Sequence, residues 1–404
     1  MKFVNLSSEE FDKYISNYEF VDFLQSPKMD DMESKKGWKT EYVGLKENDI
    51  ILCATKLMSR NTRLKKKYYY APRGFIIDYN NYDLLKKFVL EIKKYIKKNN
   101  GYVLHIDPDI IHVERDDEGN IVEGGIDNTK IINDLKKIGF KHEGFSTKYD
   151  LNKQMRWVFV KNLDEDIMKS MKPNTRNLIN KAIKYGLKVR NFDYDELYLF
   201  KNVTESTSIR RNFKDKSLEY YQDMYKAFKD EIKFLGCFLN ISEYKNNLEK
   251  ELEKEVLKCE KLKPDSGKKK EALVTINGLK KRIEEANKMY DKHGEEIILS
   301  VAMFVCFSKE VFYYFSGSID EYMNFNAQYL IQYEMLKFAK ENNYKKYNFL
   351  GIKGNFDPKD EDYGVYKFKK GFGGHVEEYI GDFDLPINVF YYINKIIKGV
   401  RKWK

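Results

Sequence analysis

The chain has 404 residues, which at about 150 per domain suggests two or three domains. With 42% hydrophobic and 15% aromatic residues it has material for real cores, which excludes a largely disordered protein. A net charge of +10 favours a polyanionic partner such as nucleic acid, nucleotide phosphates or an anionic membrane, although 63 acidic residues are interleaved with 73 basic ones.

The N-terminus lacks the apolar core of a signal peptide, and no run approaches the roughly 18 apolar residues of a spanning helix. A cytoplasmic protein is expected, at most touching a membrane. Strand-rich stretches at Glu41–Leu57 and Tyr68–Ile77 come first. An amphipathic helix, Tyr82–Asn99, ends at Asn99-Asn100-Gly101, and a strand, Tyr102–Ile106, leads into Asp107-Pro108. A second helix carries Ile131, Ile132, Leu135 and Ile138; then come Gly139-Phe140 and a closing strand towards Tyr149.

From Ile241 to Glu296 the composition changes to Lys, Glu and Asn with a thin apolar stripe. Tyr244, Leu248, Leu252, Val256 and Cys259 form one seam; Ile276, Leu279, Ile283, Ala286 and Tyr290 form another. Lys263-Pro264-Asp265-Ser266-Gly267 breaks the helix between them. The pattern predicts an antiparallel helical hairpin, read either as a solvated arm or as a contact for tRNA.

Beyond it the first pattern recurs. Strand-rich Ile297–Phe307 and Val311–Phe315 precede a helix, Ala327–Lys340, that stops at Asn342-Asn343. A strand, Tyr347–Leu350, then Gly371-Phe372 and a closing strand through Ile380 complete it. The repeat reads as an internal duplication of one α/β unit. Long antiparallel strands followed by a helix and a strand describe an acyl-CoA N-acyltransferase-like unit. The expected plan is α/β (α+β): two tandem GNAT-like domains, 1–150 and 151–240 with 297–388, a coiled-coil arm at 241–296, and an amphipathic helix at 389–404. That last helix sets Phe390, Ile393, Ile396, Ile397, Val400 and Trp403 on one side. Packing onto the body is the preferred reading, with contact to an anionic leaflet as the alternative.

Several absences narrow the chemistry. Five His residues show no HExxH spacing, so no metal is expected. Cys53, Cys237, Cys259 and Cys306 lie far apart without a CxxC and read as reduced, buried thiols. Walker, dinucleotide and Gly-x-Ser-x-Gly motifs are missing. So is the Gln/Arg-x-x-Gly-x-Gly/Ala loop with which such transferases grip coenzyme A, so no coenzyme A is expected as donor.

Specific stretches resemble the FemABX family of non-ribosomal peptidyl transferases, especially its FemA-like members. They are Phe23-Leu24-Gln25-Ser26-Pro27, Tyr70-Ala71-Pro72-Arg73-Gly74, His105-Ile106-Asp107-Pro108 and Asn174-Thr175-Arg176. Further on come Tyr314-Phe315-Ser316-Gly317-Ser318, Tyr347–Gly351, Tyr366–Gly374 and Glu378–Phe383. The resemblance implies a tRNA-dependent aminoacyltransferase that extends the stem peptide of a peptidoglycan precursor, lipid-linked or nucleotide-linked. It carries over Lys369, beside Phe368, as the cation near the reacting carbonyl. Asp107 and Asp382, read as strand-end carboxylates in the two units, are candidates to accept a proton or orient the attacking ammonium. Cations must face the precursor's pyrophosphate. Here the sequence departs from the family: Glu33 stands at the first cation position, with Lys35 and Lys36 behind it. Lys216 stands at the second, four residues before Tyr220, keeping the charge without bidentate geometry. Arg73, Arg210 and Arg211 are further candidate cations, and Tyr220 and Tyr314 candidate groove residues. The rival readings are a transferase with another acceptor, such as a lipid, and a non-catalytic tRNA- or precursor-binding protein.

Overall fold

A computed structural model describes residues 1–62, 65–148 and 153–402, the last five by backbone alone. The chain opens with β1 (Lys2–Leu6), α1 (Ser8–Ile15), α2 (Asp30–Lys35), β2 (Lys39–Glu47) and β3 (Ile50–Asn61). Next come β4 (Lys67–Ala71), α3 (Tyr82–Lys98), β5 (Gly101–Ile106), β6 (Ile111–Glu114), α4 (Thr129–Lys137) and β7 (Lys141–His142). The second half begins with β8 (Trp157–Asn162), α5 (Ile167–Ser170), α6 (Pro173–Lys184) and β9 (Lys188–Asn191). It continues through α7 (Leu197–Arg211), α8 (Leu218–Phe228) and β10 (Ile232–Asn240) to the arm helices α9 (Ile241–Glu260) and α10 (Gly267–His293). After the arm lie β11 (Glu296–Phe307), β12 (Glu310–Ser318), α11 (Ala327–Glu341), β13 (Lys346–Gly351) and α12 (Tyr363–Lys370). The last elements are β14 (His375–Tyr379), β15 (Phe383–Pro386) and α13 (Phe390–Lys402).

The duplication is plain in the two crossovers. Helix α3 joins β4 to its parallel neighbour β5, and α11 joins β12 to its parallel neighbour β13. Both helices bury one apolar face, Leu85, Phe88, Val89, Ile92 and Ile96 in α3, and Leu330, Ile331, Met335, Leu336 and Ala339 in α11. Each stops at an Asn pair because the second Asn takes the left-handed conformation that ends a helix, φ 65° at Asn100 and 60° at Asn343.

The units are not contiguous in sequence. One sheet runs β1-β2-β3-β4-β5-β15-β7, the other β6-β14-β8-β13-β12-β11-β10-β9. Strand β15, from the end of the chain, lies between β5 and β7, while β6, from the first half, pairs β14 at the edge of the other sheet. The expected split at residue 150 therefore does not divide the strands. Residue 150 and Tyr149 lie outside the described residues, and the described part of the expected closing strand is the short β7. The move of β15 follows burial: Phe383 and Leu385 enter the first core with Phe140 and Leu104. A third cluster joins the halves, with Phe11, Tyr42 and Phe23 against Phe200, Tyr221, Phe234 and Phe312.

The arm is an antiparallel pair whose seam matches the spacing, except that Met289 is buried where Tyr290 was expected and Tyr290 is exposed. Helix α13 also departs from expectation: Ile393, Ile396 and Ile397 face solvent, and Trp403 lies outside the described residues.

Strand β15 holds up a sheet to which it is remote in sequence. Leu385, fully buried, is expected to cost about 3 kcal/mol on substitution by alanine. Urea unfolding of Leu385→Ala followed by tryptophan fluorescence checks this.

Candidate active site

Parallel strands β12 and β13 pair only from Glu310 to Phe312 against Lys346 to Asn348, then part. Past that point β13 turns sharply: Leu350 has φ 58°, and its amide donates to the Asn348 side chain at 2.8 Å. Lys369 donates to two carbonyls of this turn, to Leu350 O at 3.0 Å and Gly351 O at 2.6 Å. Lys369 reaches them from the last turn of α12. Gly371 lets that helix end rest on α6, where a Cβ would collide with Thr175 Oγ1. Lys369 is 6% exposed with no carboxylate beside it, and burial pushes its ammonium down to about 7. Phe368 packs edge-on against Tyr329 and Phe372, ring centroids 5.0 and 5.2 Å away.

Asp107 and Asp382, expected in separate units, belong to one cluster at the end of β5. The strand exchange is the cause, since Asp382 precedes β15. Asp107 accepts from the Arg73 amide at 2.7 Å and from the Tyr70 hydroxyl at 2.9 Å. Burial pushes it up to about 6, against the pull of Arg73 and His105. His105 bonds Asp384 at 2.8 Å and lies 3.6 Å from Asp382. Burial alone would lower His105, but the two carboxylates overcome it and hold it at about 10. Asp382 also takes Lys153 at 2.8 Å and stays below the usual carboxylate range despite its burial.

Arg73 ties this cluster to the other half. Its Nε lies 3.3 Å from Asp22, and its guanidinium stacks 4.8 Å from the Tyr379 ring. Asp22 caps the turn that carries Phe23, whose ring meets Phe312 at 5.1 Å and Tyr314 at 5.0 Å. Gln25 fixes the same turn by bonding Pro72 and Gly74 carbonyls and accepting from the Lys56 amide at 2.9 Å.

A rim of cations gathers around Tyr220, which hydrogen-bonds Tyr314. Lys36 and Lys216 both approach the Tyr220 ring, at 5.5 and 5.4 Å. Glu33 bonds Lys36 at 2.8 Å. Lys216 is held below the ordinary lysine value by partial desolvation and by Lys36, against the opposing pull of Glu33. Lys35 does not belong to this group: its ammonium bridges Glu219 at 2.9 Å and Asp223 at 2.6 Å, fastening α2 to α8. Arg210 is paired with Asp320 at 2.6 Å, and Arg211 is exposed in the last turn of α7.

Spacing gave no sign of the buried cluster Glu310–Lys346–Glu377, with contacts of 3.3 and 3.5 Å, which borders a cavity of about 700 Å³ under β6 and β14. Burial pushes Glu310 up to about 8, partly offset by Lys346. His105 was quoted within a matching stretch and given no role; only its place on β5 beside β15 shows its partners. Among the described residues no group of three or more His, Cys, Asp or Glu is placed to hold a metal.

With this geometry in hand, comparison with known proteins is specific. The model of the FemAB family matches residues 6–399. "Aminoacyltransferase FemA" of Staphylococcus epidermidis is 34% identical over 419 residues, covering 100% of both chains. Its namesake in Staphylococcus aureus is 32% identical over 404 residues, covering 96% of each. The crystal structure of FemX superposes with a TM-score of 0.78 at 24% identity, over 97% of this chain and 99% of that one. A tandem GNAT protein from the clavulanic acid pathway superposes at 0.50 and 7% identity, over 96% and 98%, which supports the fold alone.

The depressed Lys369 fixes the sign of a pH effect. The unfolded lysine takes its proton first as pH falls from about 10.5, so folding loses stability down to about 7 and no further below. Lys369→Met removes that loss. Urea denaturation should show the variant gaining on the wild type between pH 9 and pH 7, with the gap constant below pH 6.

Proposed function

The chain belongs to the FemAB family and is an aminoacyltransferase; from that premise we propose that it moves an amino acid from aminoacyl-tRNA to the stem-peptide side-chain amine of a peptidoglycan precursor, building an interpeptide bridge. The observation that carries the reading is Lys369, a buried cation source bonded to the carbonyls where β12 and β13 part.

The reaction is aminolysis of an ester. The amine nitrogen attacks the aminoacyl carbonyl, the bond to the ribose oxygen breaks, and a proton passes from the ammonium nitrogen to that oxygen. The ester is already activated, so placing the two reactants supplies much of the rate. Lys369, as ammonium, would stand against the developing oxyanion, and its poise near neutrality suits proton delivery to the leaving ribose oxygen. Asp107, pushed up to about 6, has the basicity to receive the incoming ammonium's proton. Phe368 would wall the aminoacyl group off from water.

In this reading the acceptor's pyrophosphate lies against Lys36 and Lys216. Glu33 cancels one of the two charges, so the site is only modestly cationic. Tyr220 and Tyr314 would line the path from that rim inward, with Arg73 bracing the wall. Donor selection falls to tRNA rather than coenzyme A, in keeping with the missing pyrophosphate loop.

Two experiments test this. Purified protein with charged tRNA and a lipid-linked or nucleotide-linked muramyl pentapeptide should give ribonuclease-sensitive transfer. Lys369→Met should lower the rate at least about 100-fold while acceptor affinity stays within about threefold. Absence of transfer with every common amino acid would overturn the reading. Separately, Lys36→Ala and Lys216→Ala should each weaken binding of the pyrophosphate-bearing precursor about tenfold. A muramyl peptide lacking the pyrophosphate should bind wild type and variants alike.

A further inference from the structure

Helix α13 turns its apolar side outward. It meets the body through the Phe390 and Tyr391 rings, packed with Tyr102 and Val103, and through hydrogen bonds: Tyr391 donates to Asp384 at 3.2 Å, Asn394 to the Tyr102 hydroxyl at 2.9 Å, and Lys395 to Glu143 at 2.6 Å. At 3.6 residues per turn those positions share one side of the helix. On the other side lie Val389, Tyr392, Ile393, Ile396 and Ile397, which are 68, 51, 42, 67 and 39% exposed. A contiguous stripe of exposed large side chains marks an interaction surface.

Charge and length select the partner. From 395 to 404 the chain carries Lys395, Lys398, Arg401, Lys402 and Lys404 and no acid. A symmetric contact with a second copy would set two such arrays against each other, whereas an anionic bilayer attracts them. Thirteen residues make a rod of about 20 Å, and no described helix is long and apolar enough to cross a membrane. A helix lying in the headgroup plane needs neither length nor a second charge set. An aromatic series continues from it: Phe390 to Tyr102 at 6.3 Å, Tyr102 to Tyr68 at 6.4 Å, and Tyr68 to Trp38 at 6.1 Å.

We propose that α13 docks this protein on an anionic lipid surface, with its apolar stripe at the acyl boundary. The inference stands on the packing and charge of α13 and does not depend on the role of Lys369.

Flotation with vesicles of phosphatidylglycerol or phosphatidylcholine tests it on the full chain. The wild type should bind phosphatidylglycerol vesicles at least tenfold more tightly than phosphatidylcholine vesicles. Ile393→Asn with Ile396→Asn should lose at least tenfold of that binding with an unchanged melting temperature. Tyr392→Trp should shift its emission to the blue on adding phosphatidylglycerol vesicles. Failure of the wild type to float, equal flotation of the double variant, or unshifted Trp emission would overturn the proposal. So would a wild-type dimer that the double variant converts to monomer.

Discussion

Each sheet is completed by a strand from the far half of the chain, and the arrangement of the candidate site follows from that exchange. Strand β6, from the first half, pairs β14 in the second sheet, and β15 supplies Phe383 and Leu385, both fully buried, to the first. Parting the halves would strip the pairings of β6 and β15 and expose Phe383 and Leu385, so the halves cannot hinge freely. The exchange also carries Asp382 and Asp384 to His105, giving the first unit a charge cluster that its own half of the sequence could not assemble.

Buried charge is the second constraint. Lys369, Lys56, Arg73, Asp22, Asp107 and Glu310 all sit inside the protein. Removing a charge from water costs several kcal/mol unless partners compensate. Most of these are compensated: Lys56 by Asp30 and the Ser26 carbonyl, Arg73 by Asp22, Asp107 by Arg73 and Tyr70. Among the described residues Lys369 has carbonyls and no counter-ion. It is thus the group most responsive to an anion arriving beside it, which is the property an oxyanion partner requires.

Much of the fold was legible because its signals are local. The Asn-Asn stops, the heptad stripe of the arm and the apolar face of α3 each report on a few neighbouring residues. The exchanged strands were not legible, because β6 and β15 are short and their pairing is decided by partners more than 180 residues away. The same distance hid the company of Asp382 and His105. In the site, Phe368-Lys369 could be found as a string, and Tyr220 with Lys216 as a spacing. The choice between Lys35 and Lys36 could not, since it depends on which side of α2 meets Glu219 and Asp223. Helix α13 was read correctly as amphipathic, but periodicity says nothing about which side meets the body.

The arm enters between β10 and β11, which are neighbouring antiparallel strands and would otherwise be joined by a simple turn. Its 20- and 27-residue helices thus replace a hairpin loop. Paired insertions of whole heptads would extend them by about 10 Å each time without disturbing the seam register. The strands below would keep their places, and so would Lys369. The reach of the arm is a dimension that can vary by itself, a ruler mounted on a fixed frame.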